Sequence, residues 1–363
     1  MKQEFPDLAV TPPLTTSGNS GNTPKYRSPT HGAGAGQGSK NAHLGMLLWA
    51  LIVASSFPAV VMMTEGLPPL LLTAIRFIVA ALAISPMLRG KPGGWPGFAG
   101  FTLYLLMGLS LAAFFGTMFW AAHRTTALSM ATLYVCVPLM AYFLGRSFQV
   151  EHPSGSLLAI LVLGAAGALA LAWAESAGQA ANLHFGIVEL TYLFGCLGSA
   201  LFPVLSKWGL ARGMLSPSAE VRSFWSLASG GLLIGLIGVS REDPWMLANM
   251  TPGDGLLLAY LAIFSSGITF WLTQRATAVL TPGSVTAYSY LVPYVAMLLL
   301  FIEQPQQIDW RWLPGSMMVM MAIVLLFYRD AVFGARRPRQ AEIANRAIRQ
   351  NQPLARPVEQ RAA

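Results

Sequence analysis

Charge is what this sequence has least of: of 363 residues only 10% are Asp, Glu, Lys or Arg, while 54% are hydrophobic. Soluble domains carry about 25% charged residues, so a chain of this size with so few cannot cover a water-facing surface. Cysteine is almost missing too. Cys136 and Cys196 both sit in apolar runs, which excludes a disulfide scaffold and leaves too few thiolates for the usual metal cage of about four ligands. Catalytic signatures are lacking as well: there is no His-Glu-x-x-His, no paired-Asp motif and no Ser/His/Asp grouping. An enzyme is therefore not expected, and neither is a cofactor or a metal.

What the chain does have is apolar length. Ten runs come close to the ~20 residues needed to cross ~30 Å of hydrocarbon, at 44–63, 68–88, 98–121, 127–147, 155–174, 185–207, 217–239, 254–273, 283–302 and 311–328. Between them stand turn-formers such as Gly66-Leu67-Pro68-Pro69 and Thr251-Pro252-Gly253-Asp254. Trp95, Trp173, Trp245 and Trp310 fall at or beyond run ends, where an amphipathic ring prefers the headgroup layer. The expectation is an all-α membrane protein of ten transmembrane helices.

The net charge of +8 would suggest nucleic acid in a soluble protein, but here it sorts by side. With both tails placed in the cytoplasm, the inner loops hold Arg89, Lys91, Arg146, Lys207, Arg212 and Arg275, and the outer loops hold Arg124, Arg241 and Arg311. The excess follows the positive-inside rule, so no nucleic-acid partner is expected. Residues 1–43, rich in Gly, Ser, Thr and Pro, read as a disordered tail, and residues 329–363 as a basic one.

The runs also repeat. Phe119-Trp120 and Arg124-Thr125 recur as Phe270-Trp271 and Arg275-Ala276, at an offset of 151 positions (119 to 270). Pro58 matches Pro203, Arg76 matches Arg222, and Pro138 matches Pro293. Each half, 44–174 and 185–328, holds five runs. An odd number sets the halves in opposite orientation across the membrane, the inverted-repeat pattern of secondary transporters working by alternating access.

These duplicated features, with the pair Arg76-Phe77 and the turn from Phe119-Trp120 into the run containing Pro138, resemble the drug/metabolite transporter superfamily in its EamA branch. The resemblance spans about 44–328. It implies a helical bundle in the bacterial inner membrane that exports amino acids, related metabolites or drugs, with a small-molecule substrate and the lipid bilayer as partners, protons or another ion as driver, and a monomeric or homodimeric state.

Candidate transport residues follow from what is rare inside the runs. Pro58, Pro138, Pro203 and Pro293 each deprive the carbonyl four residues back of its donor, so they are expected either to hinge helices around a cavity or simply to bend them. Arg76 and Arg222 are the basic residues within runs. A charge there costs roughly 2.5–3.5 kcal/mol on insertion scales, so each either meets a substrate carboxylate, caps backbone carbonyls or snorkels toward an interface. Glu189 is the acid clearly within a run and not at its first residues, a coupling carboxylate or a vestibule residue. Trp49, Tyr104, Tyr134 and Tyr290 are the aromatic candidates for cavity walls.

Overall fold

The computed structural model describes residues 34–122, 124–175, 186–305 and 309–329. Among these residues ten helices are long and apolar enough to cross a membrane: α1 (Gly38–Val61), α2 (Pro69–Leu88), α3 (Phe98–Ala122), α4 (Leu128–Ser147), α5 (Gly155–Glu175), α6 (Ile187–Ala211), α7 (Ala219–Arg241), α8 (Pro252–Val279), α9 (Pro282–Ile302) and α10 (Trp310–Arg329). Proline begins several of them: Pro69, Pro252 and Pro282 occupy the first turn, where a missing N–H costs nothing and the fixed φ suits the helix.

One boundary differs from the sequence expectation. The helix of α1 extends back to Gly34, so residues 34–43 are helix rather than tail. The reason is tertiary: the His43 ring is 1% exposed and its Nδ1 lies 2.7 Å from the Tyr288 hydroxyl on α9. Local composition carries no sign of that contact. The rest of the expected tails, 1–33 and 330–363, lies outside the described residues.

The scarce acids have a common use. Glu242, at the end of α7, accepts from the N–H groups of Leu70 and Leu71 at 2.8 and 2.9 Å and so caps α2. Glu151, after α4, accepts from the N–H of Gly283 at 3.1 Å and caps α9. Asp254 makes a reciprocal capping box with Thr251 and also accepts from the N–H and hydroxyl of Thr64, tying the end of α1 to the start of α8. Helix N-termini present orphan donors and a partial positive charge, and in a membrane those donors must be met inside the protein. Each tie joins the C-terminal end of one helix to the N-terminal start of another, as expected if successive helices alternate in direction.

Side by side, α2 packs on α7, α3 on α6 and α7, α1 on α8 and α9, and α4 on α6 and α9. Small residues set the distances: a Cβ on Gly198 of α6 would lie 2.7 Å from the Ser110 carbonyl of α3, and one on Gly167 of α5 would lie 2.8 Å from the Val319 nitrogen of α10. Such approach is the usual means of helix association where lipid removes the hydrophobic drive.

Candidate functional site

The matched prolines behave in pairs. α1 and α6 run without interruption through Pro58 and Pro203. Pro58 is exposed and Pro203 buried. Near Pro58, the Ser55 and Ser56 hydroxyls donate back to the carbonyls of Ile52 and Val53 at 2.9 and 2.6 Å, meeting acceptors close to the carbonyl that the proline frees. α4 and α9 are broken instead. α4 is helical over Ala127–Tyr134 and again over Val137–Ser147, with Pro138 in the first turn of the second piece. α9 runs Pro282–Thr286, tightens to a 3-10 turn at Ala287–Tyr290, and resumes over Leu291–Glu303 with Pro293 in its first turn. A break ahead of the proline is a larger departure than the single lost bond read from sequence. It coincides with the carbonyl four residues back that proline leaves without a donor, Tyr134 at the end of the first piece of α4 and Ser289 in the 3-10 turn of α9.

Arg76 and Arg222, matched in sequence, meet different surroundings. Arg222 is fully buried, and its guanidinium donates to the carbonyls of Ser216 and Gln274 at 2.6 Å each and to Gln274 Oε1 at 3.1 Å. Gln274 Oε1 also accepts from the Ser206 hydroxyl at 2.5 Å. This network joins α6, α7 and α8 near the end of the bundle that holds the α2–α3 turn. Arg76 is half-buried and reaches across to α8, where Nη2 and Nε lie 3.1 and 3.3 Å from Ser266 Oγ and Nη2 lies 3.4 Å from Ser265 Oγ. Those serines stand in the middle of the 28-residue α8, so the cation is drawn inward instead of snorkelling to the near interface.

The receiving stretch of α8, Leu261–Ile268, is a π-helix. Single π turns inside α-helices mark functional sites disproportionately. Here the wider turn faces α2 with both serines almost wholly buried, 8% and 0% exposed. One turn toward the start of α8, Tyr260 shares a 3.0 Å hydrogen bond with Ser55 of α1, so α1, α2 and α8 meet at this level.

The aromatic candidates are not gathered at one point. Tyr290 belongs to the apolar cluster around α1, α5, α9 and α10, with Trp49 half-buried beside it. Tyr104 lies in the cluster of α2, α3, α6 and α7, stacked on Trp225 at 6.3 Å. Tyr134 packs with Phe114 at 5.7 Å beside a third cluster. The hydroxyls of Tyr104 and Tyr290 are buried with no hydrogen-bond partner among the described residues. Glu189 is in the first turn of α6, where Oε2 accepts from the Gly186 N–H at 2.9 Å and Oε1 from the Thr125 hydroxyl.

The two ends of the bundle are packed differently. Toward the α2–α3 turn, Tyr104, Arg222, Gln274, Tyr288 and Tyr290 are each at most 2% exposed. Toward the opposite end, residues 113–119 of α3 are partly exposed on every side. Sequence reasoning named both arginines but missed their partners Ser265, Ser266 and Gln274. A faint signal exists in Phe264-Ser265-Ser266-Gly267, adjoining hydroxyls and a glycine in the middle of an apolar run.

Comparison with known proteins agrees with this architecture. Residues 40–173 match the EamA-like transporter family. Protein PecM of Dickeya dadantii is 26% identical over 266 residues, covering 72% of this chain and 85% of that protein. The inner membrane transporter YedA of Escherichia coli K12 is 26% identical over 292 residues, covering 79% of this chain and 90% of its own. A solved crystal structure superposes with a TM-score of 0.64 over 83% of this chain and 98% of the other, at 17% identity, a likeness of fold alone. A ten-helix chain whose first five helices match the EamA-like transporter family, and which runs alongside nearly the whole length of transporter relatives, is similar to the EamA-like transporters.

Proposed function

We propose that this transporter exports amino acids or related carboxylates across the bacterial inner membrane by alternating access, with Arg76 as the group that receives the substrate carboxylate. The observation that carries the reading is the guanidinium at the middle of α8, whose recorded acceptors are two neutral serine hydroxyls at 3.1–3.4 Å. Carboxylate is the mate of a guanidinium, binding it through two parallel charge-assisted hydrogen bonds. Arg222, saturated by carbonyls, is read as a lock on α6, α7 and α8. Glu189 is read as a cap on the start of α6, through the Gly186 N–H and the Thr125 hydroxyl.

The halves 44–174 and 185–328 form an inverted repeat in this reading, with both termini cytoplasmic. Support comes from the matched behaviour of the prolines: α1 and α6 continuous, α4 and α9 broken. Paired interruptions in corresponding segments are the usual pointer to a transporter's binding region. The difference in packing between the two ends supports a conformation shut toward the α2–α3 turn.

The test is expression in an export-deficient bacterium challenged with a panel of amino acids and small carboxylates. The expected result is tolerance to particular compounds together with their appearance in the medium, lost in R76Q at unchanged protein abundance. Resistance to dyes with no tolerance to any carboxylate would replace this reading with efflux of amphipathic drugs.

A further inference from the structure

We infer that the Arg76 site selects net-anionic substrates over zwitterions and cations of the same shape; this rests on the carboxylate reading above and narrows it. The argument is a census of charge by depth. Among the described residues the acids stand at helix ends: Glu65, Glu151, Glu175, Glu242, Asp243, Glu303 and Asp309 border the spans, and Glu189, Glu220 and Asp254 occupy first turns. Glu151, Glu189, Glu242 and Asp254 accept from backbone N–H groups there. None shares the level of Ser265 and Ser266, fourteen residues from either end of α8 (252 to 266, 265 to 279).

The cations divide differently. Arg222 is compensated by two carbonyls at 2.6 Å and an amide oxygen at 3.1 Å. Arg76 has hydroxyls alone, at longer distances. Among the described residues, the middle of the α2–α8 seam therefore carries one full positive charge and no negative one. An anion entering it neutralises the site, and the low local dielectric strengthens that pairing. A zwitterion neutralises Arg76 but brings an ammonium that meets only hydroxyls and peptide dipoles, such as Ser55, Tyr260 and the carbonyls near Pro58. A cation meets direct repulsion. The expected order of affinity is anion, then zwitterion, then cation.

Two probe series of fixed body test this order on purified protein in lipid nanodiscs: 3-phenylpropionate, phenylalanine and phenethylamine, then valerate, norvaline and pentylamine. Binding is read by calorimetry and by the shift in melting temperature. In at least one series the anion should bind roughly tenfold tighter than the zwitterion, with no measurable binding of the cation. R76Q should erase the difference and R76K should retain part of it. Equal or tighter binding of the zwitterion, an anion preference that survives in R76Q, or no saturable anion binding at millimolar concentration in either series overturns the inference. Zwitterion binding that equals or exceeds the anion's and is lost in R76Q would overturn the selectivity while leaving Arg76 as the carboxylate site. Binding indifferent to R76Q would remove both.

Discussion

At the scale of single residues, Arg222 donates to the carbonyls of Ser216 and Gln274 with no exposure to solvent, while Arg76 is half-buried against serine hydroxyls. Removing the first leaves acceptors buried and unmet, at about 1–3 kcal/mol each; removing the second leaves hydroxyls that can rotate to other acceptors. R222L should therefore lower the melting temperature in detergent and the abundance in the membrane, whereas R76Q should change transport with little effect on either. Paired melting curves and quantitative blots separate the two, and equal loss of stability in both variants would refute the distinction. Glu242 gives a smaller effect of the same kind. E242A strips the cap from Leu70 and Leu71, a loss of about 0.5–2 kcal/mol, seen as a modest fall in melting temperature with transport otherwise intact.

At the scale of helices, close approach and irregular turns set the outcome. Gly198 brings α6 against the Ser110 carbonyl, where an added Cβ would stand at 2.7 Å. G198L should force α3 and α6 apart at a cost of roughly 1–3 kcal/mol or more, and appear as a broadened, aggregating peak on size exclusion. The π stretch Leu261–Ile268 makes an opposite prediction. A π turn accommodates an extra residue relative to α-helix, so deleting Ala262 should be absorbed by reversion to α geometry. Deleting Thr273 should instead rotate Gln274 by about 100° away from Arg222. A fluorescent fusion should stay folded in the first case and be degraded in the second. The π stretch could not be read from the chain alone. Apolar length gave the ten spans to within a few residues, but the four prolines read alike, and only the structure separates Pro138 and Pro293, at interruptions, from Pro58 and Pro203, within continuous helix. The π turn leaves no mark in hydropathy, and only the packing of α8 against α2 and α1 reveals it.

At the scale of the whole molecule, the placement of Lys and Arg makes a directional prediction. With Cys136 and Cys196 replaced by Ala, a cysteine at the exposed Glu65 should react with a membrane-impermeant maleimide added outside cells, and one at the exposed Arg89 should not. The reverse pattern would invert the topology and with it the assignment of export.

The sequence by itself determined the solvent, the number of spans, the family likeness and the internal pairing of prolines and arginines, because these follow from hydropathy, charge and order along the chain. It could not determine which buried charge is satisfied. Arg76 and Arg222 occupy matched positions, and although Arg222 stands nearer the start of its run, which already favours a capping role, what separates them in space is the partner each meets on α8, about two turns apart: the hydroxyls of Ser265 and Ser266, or the carbonyl and amide of Gln274. That choice depends on how α2 and α7 cross α8. Only the tertiary structure decides it, since compensation of a buried charge depends on distance in space and not along the chain.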